Sequence, residues 1–155
     1  MAVLLSDLLE EKQIALELAA RTKEDALREI IALLHANGRV ADPEKFLAAV
    51  MTRERASSTV AEHGVAFPHA RTDLVQEITL GIGRSSGGVA FGKPDELVHL
   101  IFVIGVPQKM IQDYLVCVGT LARLVKDDAI RAVLLKAKTP KEFLEQLRSA
   151  SLLVE

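Results

Sequence analysis

The chain has 155 residues, half of them hydrophobic and 26% charged, with a formal net charge of −2; that balance excludes a disordered tail and suits one domain with its own core. Only 4% of residues are aromatic and Trp is absent, so the core must be built from Leu, Val, Ile and Ala. No base-stacking surface and no nucleic-acid partner are expected from such a composition.

Met1–Leu5 has no basic region and is too short an apolar stretch for a signal peptide. Thr22, with Asp25 three residues later, resembles a capping box opening a helix in which Ala26, Ile30, Leu33 and Leu34 share a face. Gly38 is its natural stop. Asp42-Pro43 combines an N-cap with a proline at the first helical position, which predicts a second helix from about Pro43 to Glu54 burying Phe46, Leu47 and Val50. Thr59 to Phe67 is rich in β-branched residues and reads as a strand ending at Pro68. Ile78 to Gly83 reads as another, Gly87-Gly88 as a turn, and Val89 to Phe91 as a returning partner strand.

Leu97 to Val106 is almost wholly apolar, the pattern of a strand covered on both faces, and Pro107 stops it. That run is far below the roughly 20 residues that span a bilayer, so the chain is expected to be cytoplasmic. Ile111, Tyr114 or Leu115, Val118, Leu121 or Ala122, and Val125 form one helical stripe. The single cysteine, Cys117, lies within it and reads as a small buried hydrophobe; one cysteine excludes an intramolecular disulfide and a Cys-rich metal site. Lys126-Asp127-Asp128 reads as a solvated junction with Asp128 capping the next helix, Ala129 to Leu135. Thr139-Pro140-Lys141-Glu142 then opens a last helix through Leu147. The expectation is a single α/β layered domain over residues 1–155, a mixed β-sheet flanked by helices.

The densest cluster of polar and special residues is Arg53 to Arg71, RERASSTVAEHGVAFPHAR. Pro68 fixes its own φ and biases Phe67 to an extended conformation, so the chain arrives at His69 stiffly. Arg53 and Arg71 offer guanidiniums, and Ser57, Ser58 and Thr59 offer hydroxyls, groups that suit a phosphate. Reversible phosphorylation of an imidazole fits this set: with an ordinary pKa of about 6.5, a histidine has a large neutral fraction at neutral pH and one nucleophilic nitrogen. The other nitrogen has to hold its proton through a hydrogen bond. No metal, nucleotide or other cofactor is expected, and no G-x-x-x-x-G-K-[ST] motif occurs.

The other histidines read as ordinary residues. His63 lies six residues before His69, about 20 Å away along an extended segment, too far to share an ion; it is expected on a loop or rim. His99 is expected as a satisfied strand-end residue, and His35 as a surface residue near a helix C-terminus. Glu54 is expected to orient Arg53 or the local backbone, and Arg53 could alternatively cap the end of its helix.

Gly64-Val65-Ala66-Phe67-Pro68-His69-Ala70-Arg71 resembles the G-[IV]-A-[IVF]-P-H-[AG] signature of the type-2 IIA (fructose, mannitol and nitrogen-regulatory) proteins of the bacterial phosphotransferase system. Arg53-Glu54, Ser58-Thr59, Thr22-Lys23-Glu24, Ile82-Gly83-Arg84 and the Leu97–Pro107 run extend the resemblance over residues 3–150. It implies the IIA-mannitol/fructose-like fold. It also implies that His69 accepts phosphate from a general phosphocarrier protein and passes it to a IIB domain, with Arg53 supporting the phosphoryl group and Ser58 or Thr59 lining the pocket. Nitrogen-regulatory members instead use the phosphorylation state to control a partner such as a transporter, kinase or sensor. The sequence departs from the pattern twice. Tyr114 stands where the family commonly has a second histidine, so a phenol, a hydrogen-bond donor without positive charge, would face His69; its other reading is a half-buried core residue. Val60-Ala61 replaces a common Gly-Ile. Three functions follow: a phosphohistidine intermediate, a regulatory module, or a domain that senses on a membrane transporter without phosphotransfer.

Overall fold

The computed structural model describes residues 4–93 and 96–154; the first three residues of the apolar start at Met1–Leu5 lie outside them. In chain order come β1 (Ile14–Ala15), α1 (Lys23–Ala36), α2 (Pro43–Ala56), β2 (Val60–Ala61), β3 (Val65–Ala66), β4 (His69–Arg71), β5 (Thr79–Ala90), β6 (Leu97–Val106), α3 (Ile111–Lys126), α4 (Asp128–Lys136) and α5 (Pro140–Leu152). The sheet is mixed. On one edge β6 pairs antiparallel with β5, from Thr79 opposite Gly105 to Ala90 opposite Leu97. On its other edge it takes β3 and then β4 in parallel, Val65 opposite Leu100 and His69 opposite Ile104. β1 lies parallel to β5, and β2 antiparallel to β3.

The apolar run of β6 is explained by its two covered faces. Leu100, Phe102, Ile104 and Val106 join a core with Leu121, Leu124, Leu134, Phe143 and Leu147 of α3–α5. Ile101 and Val103 face the other way, into a core with Leu27, Ile30, Leu34, Phe46 and Val50 of α1 and α2. Two glycines let α1 lie close on the sheet: a Cβ at Gly81 would stand 2.7 Å from Ile30 Cγ2, and one at Gly83 2.5 Å from Ile30 Cδ1.

Three helix starts follow the sequence signals: Thr22 accepts from Asp25 N–H, Asp42 from Lys45 N–H and Thr139 from Glu142 N–H. For α4 the cap is Asp127, whose carboxylate accepts from Ile130 N–H at 3.0 Å. Asp128 is instead the first helical residue, where its charge still suits the helix N-terminus.

Two strand expectations are corrected. Thr59–Phe67 is a tight hairpin, not one strand: the chain reverses at Glu62–Gly64, where His63 and Gly64 both take positive φ (67° and 71°). A left-handed non-glycine residue leaves no signal in β-propensity, and the reversal removes the extended path on which the separation of His63 and His69 was reckoned. At Gly87-Gly88 the chain does not turn. β5 runs unbroken to Ala90, absorbing the glycines in an irregular register between Arg84 and Val89, where Ser85 Oγ accepts from Gly88 N–H at 3.0 Å. Pairing also resumes after Pro68, which has no N–H to donate but whose carbonyl accepts from Ile104 N–H at 3.0 Å. β1 was not anticipated; two residues are too few to show a period.

Candidate functional site

Four pieces of chain meet around His69: the last turn of α2, the loop 57–59, the β3–β4 junction and the first turn of α3. The α2 end is tied twice. Arg53 Nη1 donates to the Ser57 carbonyl at 2.7 Å, beyond the helix terminus where a cation is favourable. Glu54 is only 5% exposed. A buried carboxylate at a helix C-terminus is doubly disfavoured, by desolvation and by the dipole, and it is compensated by two bonds from Thr59: the backbone N–H at 2.9 Å and the hydroxyl at 2.5 Å.

Ala70 packs into the α1–α2 core, so its strand neighbours His69 and Arg71 project towards the α3 side, in line with buried Val65 and Phe67. His69 is half-buried. Its Nδ1 lies 3.1 Å from the Phe67 carbonyl oxygen; a carbonyl only accepts, so Nδ1 carries the proton and Nε2 holds the lone pair. Among the described residues no hydrogen bond occupies Nε2. Burial pushes the imidazole pKa below its ordinary value, the Phe67 bond opposes that, the Arg53 charge lowers it further and Glu54 raises it. The ring is therefore neutral, and nucleophilic, at neutral pH.

Tyr114, at the start of α3 and 9% exposed, sets its ring against that of His69, with centroids 5.1 Å apart and planes at 38°. Burial raises the phenol pKa, with Arg53 opposing, so Tyr114 keeps its O–H. No protein partner holds that hydroxyl among the described residues. The ring of Tyr114 thus joins the α3–α5 core and at the same time lies against the imidazole.

The remaining expected site residues are less closely gathered. Thr59 spends both its donors on Glu54, leaving its hydroxyl only acceptor capacity towards a phosphate. Ser58 is exposed and its hydroxyl oxygen accepts from Val60 N–H. Arg71 is exposed two residues beyond His69 and has no ion pair among the described residues. His63, exposed, lines a pocket of about 200 Å³ together with Phe67, Val125 and Lys126. His99 Nδ1 donates to the Ser85 carbonyl and His35 Nδ1 to that of Val40. Cys117 is buried. The Phe67 carbonyl, which sets the imidazole tautomer, was not singled out from sequence; its only signal was its place before Pro68. Among the described residues no group of three or more His, Cys, Asp and Glu could hold a metal ion, and no helix is long and apolar enough to cross a membrane.

Residues 7–150 match the family model of the phosphoenolpyruvate-dependent sugar phosphotransferase system, EIIA 2. The chain is 34% identical to a fructose-specific EIIA component of Haloferax volcanii, over 81% of this chain and 82% of that protein. It is 30% identical to the fructose-specific EIIABC component of Bacillus subtilis over 87% of this chain, but spans only 21% of that relative's length. Among solved structures, the nitrogen regulatory protein IIA-Ntr of Neisseria meningitidis superposes with a TM-score of 0.83 at 26% identity, covering 92% of this chain and 97% of that one. The IIA of an Escherichia coli complex of IIA-mannitol with phosphorylated IIB-mannitol superposes at 0.77 with 25% identity, over 91% and 97% of the two chains.

Proposed function

The chain belongs to the EIIA 2 family of the phosphoenolpyruvate-dependent sugar phosphotransferase system, and from that premise we propose that it carries a phosphoryl group on Nε2 of His69. The observation that carries this reading is the bond from Nδ1 to the Phe67 carbonyl, which leaves Nε2 as the one basic nitrogen of the ring. The Nε2 lone pair attacks phosphorus in line, the P–N bond of a phosphohistidine carrier protein breaks, and its electron pair returns to the donor imidazole. The proton stays on Nδ1, held by the Phe67 carbonyl, so the ring becomes an imidazolium after transfer and its single positive charge lies against the negative phosphoryl oxygens. In this reading Arg53, whose charge is felt at the imidazole, offsets the phosphoryl charge, and the Tyr114 hydroxyl donates to a phosphoryl oxygen. Arg71 and Ser58 are both exposed, open to a phosphoryl group arriving with its donor.

A IIB domain is the acceptor this reading implies, as in the mannitol complex. Leu115 and Val116 are 60% and 55% exposed on α3 just after Tyr114, and such an apolar patch beside a half-buried nucleophile suits transient docking of donor and acceptor in turn. A second reading, phosphorylation-dependent control of a partner protein such as a membrane transporter, is favoured by the superposition on IIA-Ntr and by Tyr114, which lends no positive charge to the phosphorylated state. Incubation with a phosphorylated general phosphocarrier protein tests both: stable, acid-labile label that a IIB domain then discharges supports carriage. Label that persists until a regulated partner is added supports control, and no label at all sinks the phosphoryl reading.

A further inference from the structure

Glu54 and the His69 imidazole are connected by an unbroken run of hydrogen bonds through two other residues. The Glu54 carboxylate accepts the Thr59 N–H and hydroxyl at 2.9 and 2.5 Å. The Thr59 carbonyl accepts the Phe67 N–H at 3.1 Å. The Phe67 carbonyl accepts the His69 Nδ1–H, also at 3.1 Å. At Thr59 and Phe67 the accepting carbonyl and the donating N–H belong to different peptide groups, so position rather than polarisation is what passes along the run. Phe67 is held on its N-terminal side by Thr59 and is restricted to extended backbone by Pro68 on its C-terminal side, which narrows the directions its carbonyl can take.

The anchor of the run is costly to place. Glu54 has no cation paired with it among the described residues, and the Ser57 N–H at the same helix end is already satisfied by the Arg53 carbonyl. Closing the helix therefore does not require a buried carboxylate at this position. We propose that Glu54 is a positioning residue for phosphoryl acceptance: by clamping Thr59 it holds the Phe67 carbonyl on Nδ1, and so keeps Nε2 the nucleophile. This rests on the phosphocarrier reading for its consequence, but the tautomer it sets can be observed without any transfer.

The test compares the wild-type protein with Glu54→Gln, Thr59→Val and Thr59→Ser. Gln keeps the shape but turns one acceptor into a donor facing Thr59; Val keeps the β-branch and the backbone bond but loses the hydroxyl; Ser restores it. Imidazole nitrogen NMR reads the tautomer, and transfer from a phosphorylated carrier protein reads the rate. Glu54→Gln and Thr59→Val are expected to mix in the Nε2-protonated tautomer and to slow labelling by roughly ten- to a hundredfold, the scale of a small misplacement of a reacting group, while Thr59→Ser behaves as wild type. Thr59→Val decides the matter alone if Glu54→Gln does not fold. If the variants melt at lower temperature with tautomer and labelling unchanged, or if Thr59→Ser is as impaired as Thr59→Val, the clamp is merely structural and the proposal fails. A wild-type protein that takes no label removes the phosphocarrier reading, and the tautomer still decides whether Glu54 positions the ring.

Discussion

Two histidines of this chain make the same first bond and end in different company. At the start of β4, His69 donates Nδ1–H to the Phe67 carbonyl; on β6, His99 donates Nδ1–H to the Ser85 carbonyl at 2.8 Å. Both are half-buried strand residues with a fixed tautomer. His99, however, is packed against the backbone of two glycines, its ring 3.3 Å from where a Cβ at Gly64 would lie and 3.2 Å from one at Gly88. His69 has Arg53 and Glu54 within electrostatic reach and the Tyr114 ring against its own. A pinned imidazole is thus common to a structural and a candidate reactive histidine. The cation, the buried carboxylate and the phenol beside it are what separate the two.

The sharpest way to break the comparison is to exchange each ring for an amide. His69→Gln is expected to abolish phosphoryl label entirely, whereas His99→Gln retains it, with any deficit appearing as a lower melting temperature; label that survives in His69→Gln would place the acceptor elsewhere. Next in size is Arg53→Ala, which removes a cation from the phosphoryl oxygens. A charge-assisted hydrogen bond of about 2 kcal/mol corresponds to roughly a thirtyfold loss in labelling rate or phosphoenzyme lifetime. Unchanged kinetics would reduce Arg53 to a cap on the Ser57 carbonyl.

Tyr114→Phe keeps the ring contact and deletes only the hydroxyl. A shortening of phosphoenzyme lifetime of about fivefold, the worth of one neutral hydrogen bond near 1 kcal/mol, is expected, and no change would leave Tyr114 a core residue. The smallest effect is in titration. With burial holding the His69 pKa below 6.5, the neutral, nucleophilic ring persists to lower pH than in a free imidazole. Labelling should then fall only as pH drops through that lowered midpoint. Arg53→Ala removes a charge that opposes protonation, so it should move the midpoint of the ring resonances upward, and a downward shift would contradict the geometry.

Much of this was readable in advance, for reasons that differ by residue. The caps at Thr22, Asp42 and Thr139 act within one helical turn, so local sequence is sufficient to specify them. The β6 run declares its two covered faces because from Leu100 onward residues pointing either way must be apolar. The turn at Glu62–Gly64 and the irregular stretch of β5 were misread because they depend on backbone conformations at His63 and Gly88 that side-chain patterning does not encode. Asp127 and Asp128 compete for one cap a single residue apart, a choice below the resolution of composition.

At the site, the stretch Arg53 to Arg71 pointed to His69, Arg53 and the hydroxyls through residue type together with the resemblance to the type-2 IIA signature, because a phosphate needs cations, donors and a nucleophile wherever they are mounted. What only the folded chain decided is how these groups relate. Thr59 turned out to spend its donors on Glu54, and the partner of Nδ1 is a backbone carbonyl, identical in every residue and so invisible in a sequence. The ring of Tyr114, 45 positions along the chain from His69, meets it because β6 returns the chain and α3 starts beside β4. Residue chemistry is a local property and could be read from the order of amino acids; orientation and protonation are set by contacts between distant segments, and those exist only once the sheet has paired.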